Sequence, residues 1–422
     1  PNLWGSSGGV ERRRIRRRIR RRAGEVMRRD ASVRACAAVD CSGRSMTDDF
    51  IYLDYNATTP TDPRVAEAMR PYLAGFYGNP SSSHRAGREA RSSVDRAREQ
   101  VASCLGCEPT EVVFTSGGSE SNNMAIRGVV AARGGGHVMT SAVEHPAVLE
   151  VVLAMEMEGR ISLTIVGVDR QGRVDPDDVA AAFRPDTVLV TLMLANNEVG
   201  TLQPVREVAA VCRERGVLCH TDAAQAVGKV PVDVAELGID LLTVAGHKLY
   251  APKGIGALFL RRGTEVEPLI RGAGHEMGLR AGTENILEEV GLGAACEIVR
   301  DELADELPRL QALCDRLEGR LREGFTGLVV HGDPEYRLPN TLSVALPGVD
   351  ARGLVSDLGD EVAASLGAAC HADQVKVSHV LHAMGIDTAT AASTIRLSVG
   401  RFTTEDEVDR AAVRILSAAS LL

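Results

Sequence analysis

The sequence holds 422 residues, 44% hydrophobic and 25% charged, an ordinary soluble composition with enough apolar chain for two or three folding units. Aromatic residues reach only 3%, leaving few platforms for stacked bases, and no apolar run approaches the ~20 residues that span a bilayer. The nine scattered cysteines argue against a disulfide-stapled secreted fold and for a reducing compartment, the cytoplasm. The net charge of −9 hides an asymmetry. Residues 1–47 carry 13 Arg against 4 acidic residues, while the rest is strongly acidic and ill suited to general nucleic-acid binding.

In chain order, the leader 1–47 repeats three arginines and an isoleucine between Arg12 and Arg22. It reads as a basic targeting arm or as disordered sequence foreign to the fold, and it is set apart from the body. From Phe50 onward, β-rich runs alternate with amphipathic stretches. The patterning predicts strands over 111–115, 137–141, 161–168, 187–194, 217–221, 241–245 and 255–260. It predicts helices over 84–105, 146–158, 177–183 and 205–215. This alternation signals an α/β fold with a mostly parallel sheet covered on both faces. After about residue 300 the rhythm changes, with a charged helix over 302–323 and then a shorter α+β segment. The expected division is a large domain over 48–300 and a smaller C-terminal domain over 301–422, joined by a short N-terminal strand at 51–53.

Three constellations carry chemistry. Thr115-Ser-Gly-Gly118-Ser119 follows a strand and opens a helix, so small residues and free N–H groups would cradle an anion at Gly118 and Ser119. His220-Thr-Asp222-Ala-Ala-Gln225 puts an acid at the carboxyl end of a strand, in the crevice where such sheets bind ligands. Gly246-His247-Lys248 puts a lysine at another strand end, a costly place to bury one unless it forms a Schiff base. Each alone has a bland reading, as a helix cap, an N-cap or a surface lysine. In this order, a phosphate cradle, an acid for a pyridinium nitrogen and an amine for an aldehyde suit pyridoxal phosphate.

These stretches, with Asp54-Tyr-Asn56-Ala57, Glu144-His145, Asn196-Asn197-Glu198, Arg280-Ala-Gly-Thr283 and Gly367-Ala-Ala-Cys370, closely resemble the cysteine desulfurase and selenocysteine lyase family. The resemblance runs from about residue 50 to Arg401-Phe-Thr-Thr404 and implies a fold-type I pyridoxal-phosphate enzyme. Such an enzyme removes sulfur or selenium from L-cysteine or L-selenocysteine and leaves L-alanine. It implies Lys248 as Schiff-base lysine, His145 stacked on the ring, and Asp222 at its nitrogen. Asn197 and Gln225 would sit near the phenolic oxygen. Gly118, Ser119 and His247 would hold the phosphate, with Thr283 reaching it from the partner of a homodimer. Arg396, with Asn56 and Ala57, would bind substrate, since a guanidinium suits a carboxylate. Cys370 would be the nucleophile, with an acceptor protein taking the sulfur or selenium. No metal site is expected: Cys104 and Cys107 form a CxxC at a helix end with no second pair, read as structural or incidental.

Two departures stand out. Ala245 replaces the serine that commonly binds phosphate, and Gly-Ala-Ala-Cys370-His371 replaces Gly-Ser-Ala-Cys. Both resemble the selenocysteine lyase branch, as does Arg337-Leu-Pro-Asn-Thr341, and they leave the chalcogen open. The alternatives are another enzyme of the same fold, such as an aminotransferase or C–S lyase, and a non-catalytic scaffold.

Overall fold

A computed structural model describes residues 50–366 and 378–422, together with the backbone of 370–371 and 374–375. The leader 1–47 and Gly367–Ala369 lie outside the described residues. Seven strands form the larger sheet: β2 (Val112–Thr115), β3 (Gly136–Ser141), β4 (Ile161–Val166), β5 (Thr187–Thr191), β6 (Leu218–Asp222), β7 (Leu241–Ala245) and β8 (Gly256–Leu260). They lie in the order β2-β8-β7-β6-β5-β3-β4, parallel except that β8 runs antiparallel to both neighbours.

Alternation explains why this sheet is covered twice. Leu242, Val244, Ala257 and Phe259 point into one apolar cluster, while Leu241 and Leu258 point into another on the opposite face. Helices α1 (Arg85–Leu105), α2 (Gly118–Arg133) and α3 (Pro146–Met157) supply the cover. Helix α1 starts at His84, whose ring accepts from Gly87 N–H, and ends on Gly106 in the left-handed region. Every strand expected from the patterning of the larger sheet is present, most within one residue at each end, and β4 and β5 stop two and three residues short. The run to Leu194 stops as a strand at Thr191, yet Leu192 and Leu194 still donate to the carbonyls of His220 and Asp222.

The charged helix expected over 302–323 is the second half of α4 (Ile286–Gly324), which runs unbroken through position 300. Its first half holds Gly-Leu-Gly-Ala-Ala-Cys296, apolar nearly all round, so no amphipathic stripe announces it. That half packs against α1 in the larger core, whereas Leu310, Leu313, Leu317 and Leu321 pack in a separate core. The second core lies under a smaller antiparallel sheet ordered β12 (Ser365–Leu366), β15 (Thr394–Ser398), β10 (Thr341–Ala345) and β9 (Val329–His331). The N-terminal strand β1 (Ile51–Tyr52) pairs with β11 (Val362–Ala363), and Leu53 is buried in the same core. β13 (Cys370–His371) pairs with β14 (Gln374–Val375), and helix α5 (Glu405–Ala419) closes the chain. No helix among the described residues is long and apolar enough to cross a membrane.

Candidate active site

At the carboxyl ends of β2, β6 and β7 lies a cavity of about 340 Å³, walled on its far side by Arg396 of β15. Gly117, at φ 147°, turns the chain from β2 into α2, a conformation that favours glycine. The first turn of α2 then presents Gly118 and Ser119 to the cavity. A Cβ on Gly118 would come within 3.3 Å of the Ala245 Cβ, so any larger residue there would press on the end of β7. His247 adds a ring beside this turn, its Nδ1 3.1 Å from the Thr58 hydroxyl, and desolvation pushes its pKa down to about 4.

Asp222 ends β6 with both oxygens engaged. Oδ2 accepts from Asn122 Nδ2 at 2.7 Å, and Oδ1 accepts from the Ala224 N–H at 2.9 Å. Two residues earlier, His220 is fully buried between the hydroxyls of Thr191 and Thr243, and burial alone pushes its pKa down to about 3. Such a neutral ring braces the strand.

Lys248 follows β7 on a single turn and donates to the Asn56 carbonyl at 2.5 Å and the Ala57 carbonyl at 2.7 Å. Desolvation, then the nearby Arg396 cation, push its pKa down to about 8, against the pull of Asp54 and Asp222. His145 caps α3, its Nδ1 accepting from the Ala147 N–H at 3.1 Å, so the neutral ring carries its proton on Nε2. Desolvation, Lys248 and His379 hold its pKa below the usual histidine value, opposed by Asp222.

Arg396 Nη1 donates to the Asn197 carbonyl at 2.8 Å, and Nη2 donates to Asp54 and to the Ser365 hydroxyl. Its buried Nε has no protein partner. One cation-lined wall with a spare donor, one carboxylate, one half-buried amine and one helix N-terminus thus face a single cavity. This donor set fits a phosphorylated pyridine aldehyde together with an amino acid.

The family comparison agrees with that chemistry. The family model described as aminotransferase class-V matches residues 51–411. The chain is 44% identical to the human cysteine desulfurase over 364 residues, covering 85% of this chain and 79% of that one. It is 43% identical over 362 residues to the cysteine desulfurase IscS of Dictyoglomus turgidum, covering 85% and 92%. The chain belongs to the cysteine desulfurase family of class-V aminotransferases. Its fold agrees: a solved NifS-like protein superposes with a TM-score of 0.83 at 37% identity, covering 88% of this chain and 100% of that one. A structure of SspA in complex with cysteine gives 0.74 at 35%, covering 84% and 100%. As a member of the cysteine desulfurase family, the chain is an enzyme of fold type I.

Of the residues expected from the sequence, Asn56, Ala57, Gly118, Ser119, His145, Asn197, Asp222, Gln225, His247, Lys248 and Arg396 all line the cavity. Thr283 does not: it is exposed, on a loop tied to the start of α2 by Arg280 donating to Glu120 at 2.9 Å. Cys370 is described only by its backbone, opposite Val375. Sequence reasoning assigned no role to Asn122, Asp54 or Lys229. Asn122 stands one helical turn after Gly118, a spacing that shares a face and was the available signal. The Cys104–Cys107 pair sits at the end of α1 with Cys104 in contact with buried Cys296 of α4, away from the cavity wall.

Proposed function

We propose that this chain uses pyridoxal phosphate to split the Cβ–Sγ bond of L-cysteine, passing the sulfur to Cys370 and releasing L-alanine. The observation that carries the reading is the convergence of Lys248, Asp222 and Arg396 on one cavity at the strand ends. Pyridoxal phosphate, when bound, supplies an aldehyde for the substrate amine and a ring that accepts the electron pair left as the α-proton departs.

The chain's own residues do the rest. The α2 N-terminus with Gly118, Ser119 and His247 would hold the phosphate, and Asp222, fixed by Asn122, would keep the ring nitrogen protonated. Arg396 would grip the substrate carboxylate, using donors beyond those engaged by Asn197, Asp54 and Ser365. Lys248, with its pKa pushed down to about 8, would take the α-proton on Nζ once its own bond to the cofactor is exchanged. His145 would move a proton through Nε2 as the sulfur leaves. The Cys370 thiolate would attack the substrate sulfur; the S–Cβ pair goes to carbon, leaving a persulfide on Cys370 and, after protonation, alanine.

The Cys370 segment is anchored at both described ends beside the cavity. Ser365 bonds Arg396, and Ser378 donates to Glu198, next to Asn197. We read Thr283 as completing the phosphate site of a second copy, making the enzyme a homodimer, and a reducing cytoplasm as the setting that keeps Cys370 a thiol. An acceptor protein would then take the persulfide sulfur. Ala245 and Gly-Ala-Ala-Cys370 keep L-selenocysteine as the competing substrate.

The test is alanine and sulfide or selenide release from the two substrates, in wild type and Cys370→Ser. The variant should take up cofactor yet release almost no sulfide from cysteine. Wild-type desulfuration rates in Cys370→Ser would return the chain to the aminotransferase or C–S lyase reading.

A further inference from the structure

Beneath the cavity lies a second lysine that the mechanism above does not use. Lys229 is 5% exposed, and its Nζ donates to Asn56 Oδ1 at 2.9 Å and to the Gln225 carbonyl oxygen Oε1. Gln225 Nε2 in turn donates to the Asn56 main-chain carbonyl at 2.9 Å, the same oxygen that receives Lys248. Asn56 Oδ1 also accepts from Asn340 at 3.2 Å, and Asn56 Nδ2 donates to Thr341 at 2.8 Å. Asn56 is therefore a junction whose every polar atom is engaged, and two lysines meet on it.

A glutamine amide is nearly symmetric in shape but opposite in chemistry at its two ends. Left alone, the Gln225 amide could turn either its oxygen or its N–H2 toward the cavity. An ammonium or amine donating to Oε1 from below removes that freedom, because an N–H2 facing Lys229 would place donor against donor. Oε1 is thereby held on Lys229 and Nε2 on Asn56, and both Gln225 and Asn56 line the cavity. Nε2 has two hydrogens, and Asn56 takes one.

We propose that Lys229 is a positioning residue that fixes the Gln225 amide so that an N–H faces the ring's ionised oxygen. This rests on the reading of the cavity as a pyridoxal-phosphate site. It deepens that reading by naming what orients the donor. An inverted amide would put a carbonyl oxygen against the ionised ring oxygen. It would also release the Asn56 carbonyl to Lys248 alone.

The charges facing this group are few. Lys248 and Arg396 act on Lys229, both opposing its protonation along with its burial, and Lys229 in turn helps lower His247. Arg396, Asp54 and Asp222 act on Lys248. Since Lys229 would also act on the site simply as a charge, the test must separate orientation from charge.

A double-mutant cycle does so. Lys229→Met, Gln225→Ala and the double variant would be purified without cofactor, checked by thermal melting, and titrated with pyridoxal phosphate. Two readouts are followed: the dissociation constant, and the pH at which the bound chromophore changes its absorption band. Losing one oriented buried hydrogen bond predicts that Lys229→Met binds about tenfold more weakly. Its absorption change should move to higher pH, because the ionised oxygen has lost a donor. In the Gln225→Ala background, Lys229→Met should change neither quantity.

If Lys229→Met shifts binding and the pH transition as strongly without Gln225 as with it, Lys229 acts as a charge and the proposal falls. It falls equally if Lys229→Met alone matches wild type in both. Should Lys229→Met fail to fold, the comparison of Gln225→Ala with the double variant still decides. The double variant removes both partners of the bond and strands no buried oxygen on glutamine. A wild-type chain that takes up no cofactor would overturn the cavity reading itself, before any variant is compared.

Discussion

The Arg396 guanidinium donates to the Asp54 carboxylate at 2.7 Å, with both side chains largely buried. The cation best placed for a substrate carboxylate is thus already paired with one from the chain. Asp54 therefore tempers Arg396, and a substrate must share the guanidinium with it. It also helps hold Lys248 in its protonated form. Asp54→Asn keeps the acceptor oxygen and removes the charge. KM for L-cysteine should fall roughly three- to tenfold, about the worth of one ordinary hydrogen bond. The pH midpoint of cofactor capture, which reads Lys248, should move below about 8. An unchanged KM and midpoint would mean that Asp54 only braces the strand.

Lys248 also sets a pH slope on the stability of the cofactor-free chain. Its folded pKa is depressed from 10.5 to about 8, so between these values the unfolded chain binds more protons. Stability should rise with pH across that window. Lys248→Met, which has nothing to titrate, should lack this rise. Melting curves of both proteins from pH 7.5 to pH 10.5, taken as roughly the window ends, provide the check.

Glu144 gives the opposite slope. Its side chain is fully buried; Oε1 accepts from Ser141 and from the Met193 N–H, while Oε2 has no partner. Burial pushes its pKa up to about 8 from 4.5. The folded chain therefore holds a proton that the unfolded chain releases, and stability should be lost as pH rises through this window. Glu144→Gln keeps the Oε1 contacts and has no proton to lose. It should match wild type near pH ~5 and melt higher near pH ~8. Parallel pH profiles for the two proteins would refute the assignment.

His145 does two jobs that different substitutions separate. His145→Asn keeps a side-chain acceptor for the Ala147 N–H and so preserves the cap of α3. His145→Ala removes it, at about 1 kcal/mol of stability. Both variants lose the imidazole, and turnover should fall about 100-fold or more in each. The result to look for is equal activity loss with unequal melting temperature.

What the sequence revealed of this site was the part written in contiguous residues. Lys248 and Asp222 end apolar strands whose limits are legible from Leu241–Ala245 and Leu218–Asp222, so their place at the sheet's edge follows from alternation. Asp54 and Lys229 were hidden because their importance lies in partners far along the chain. Arg396 is 342 residues from Asp54, and Asn56 is 173 from Lys229. No local pattern encodes such a meeting. The first half of α4 was missed for another reason: helix periodicity needs a polar face, and Leu292, Ala295 and Cys296 sit in a segment with little of one.

Helix α4 is a spine of about 58 Å that serves both cores, and Pro308 falls between its last contact with one, Leu303, and its first with the other, Leu310. Proline leaves the Ala304 carbonyl without its usual helical donor, so the backbone is weakest there. Ions take over as a splint. Arg401 binds Glu306 at 2.9 Å and Asp62 at 2.8 Å, while Arg309 donates to the carbonyls of Gly400 and Thr403. The Arg401 pairs are about nine-tenths buried, so ordinary salt screens them little. Because Lys248 belongs to one side of this joint and Arg396 to the other, the stiffness of the splint sets how far apart the enzyme holds its amine and its carboxylate grip.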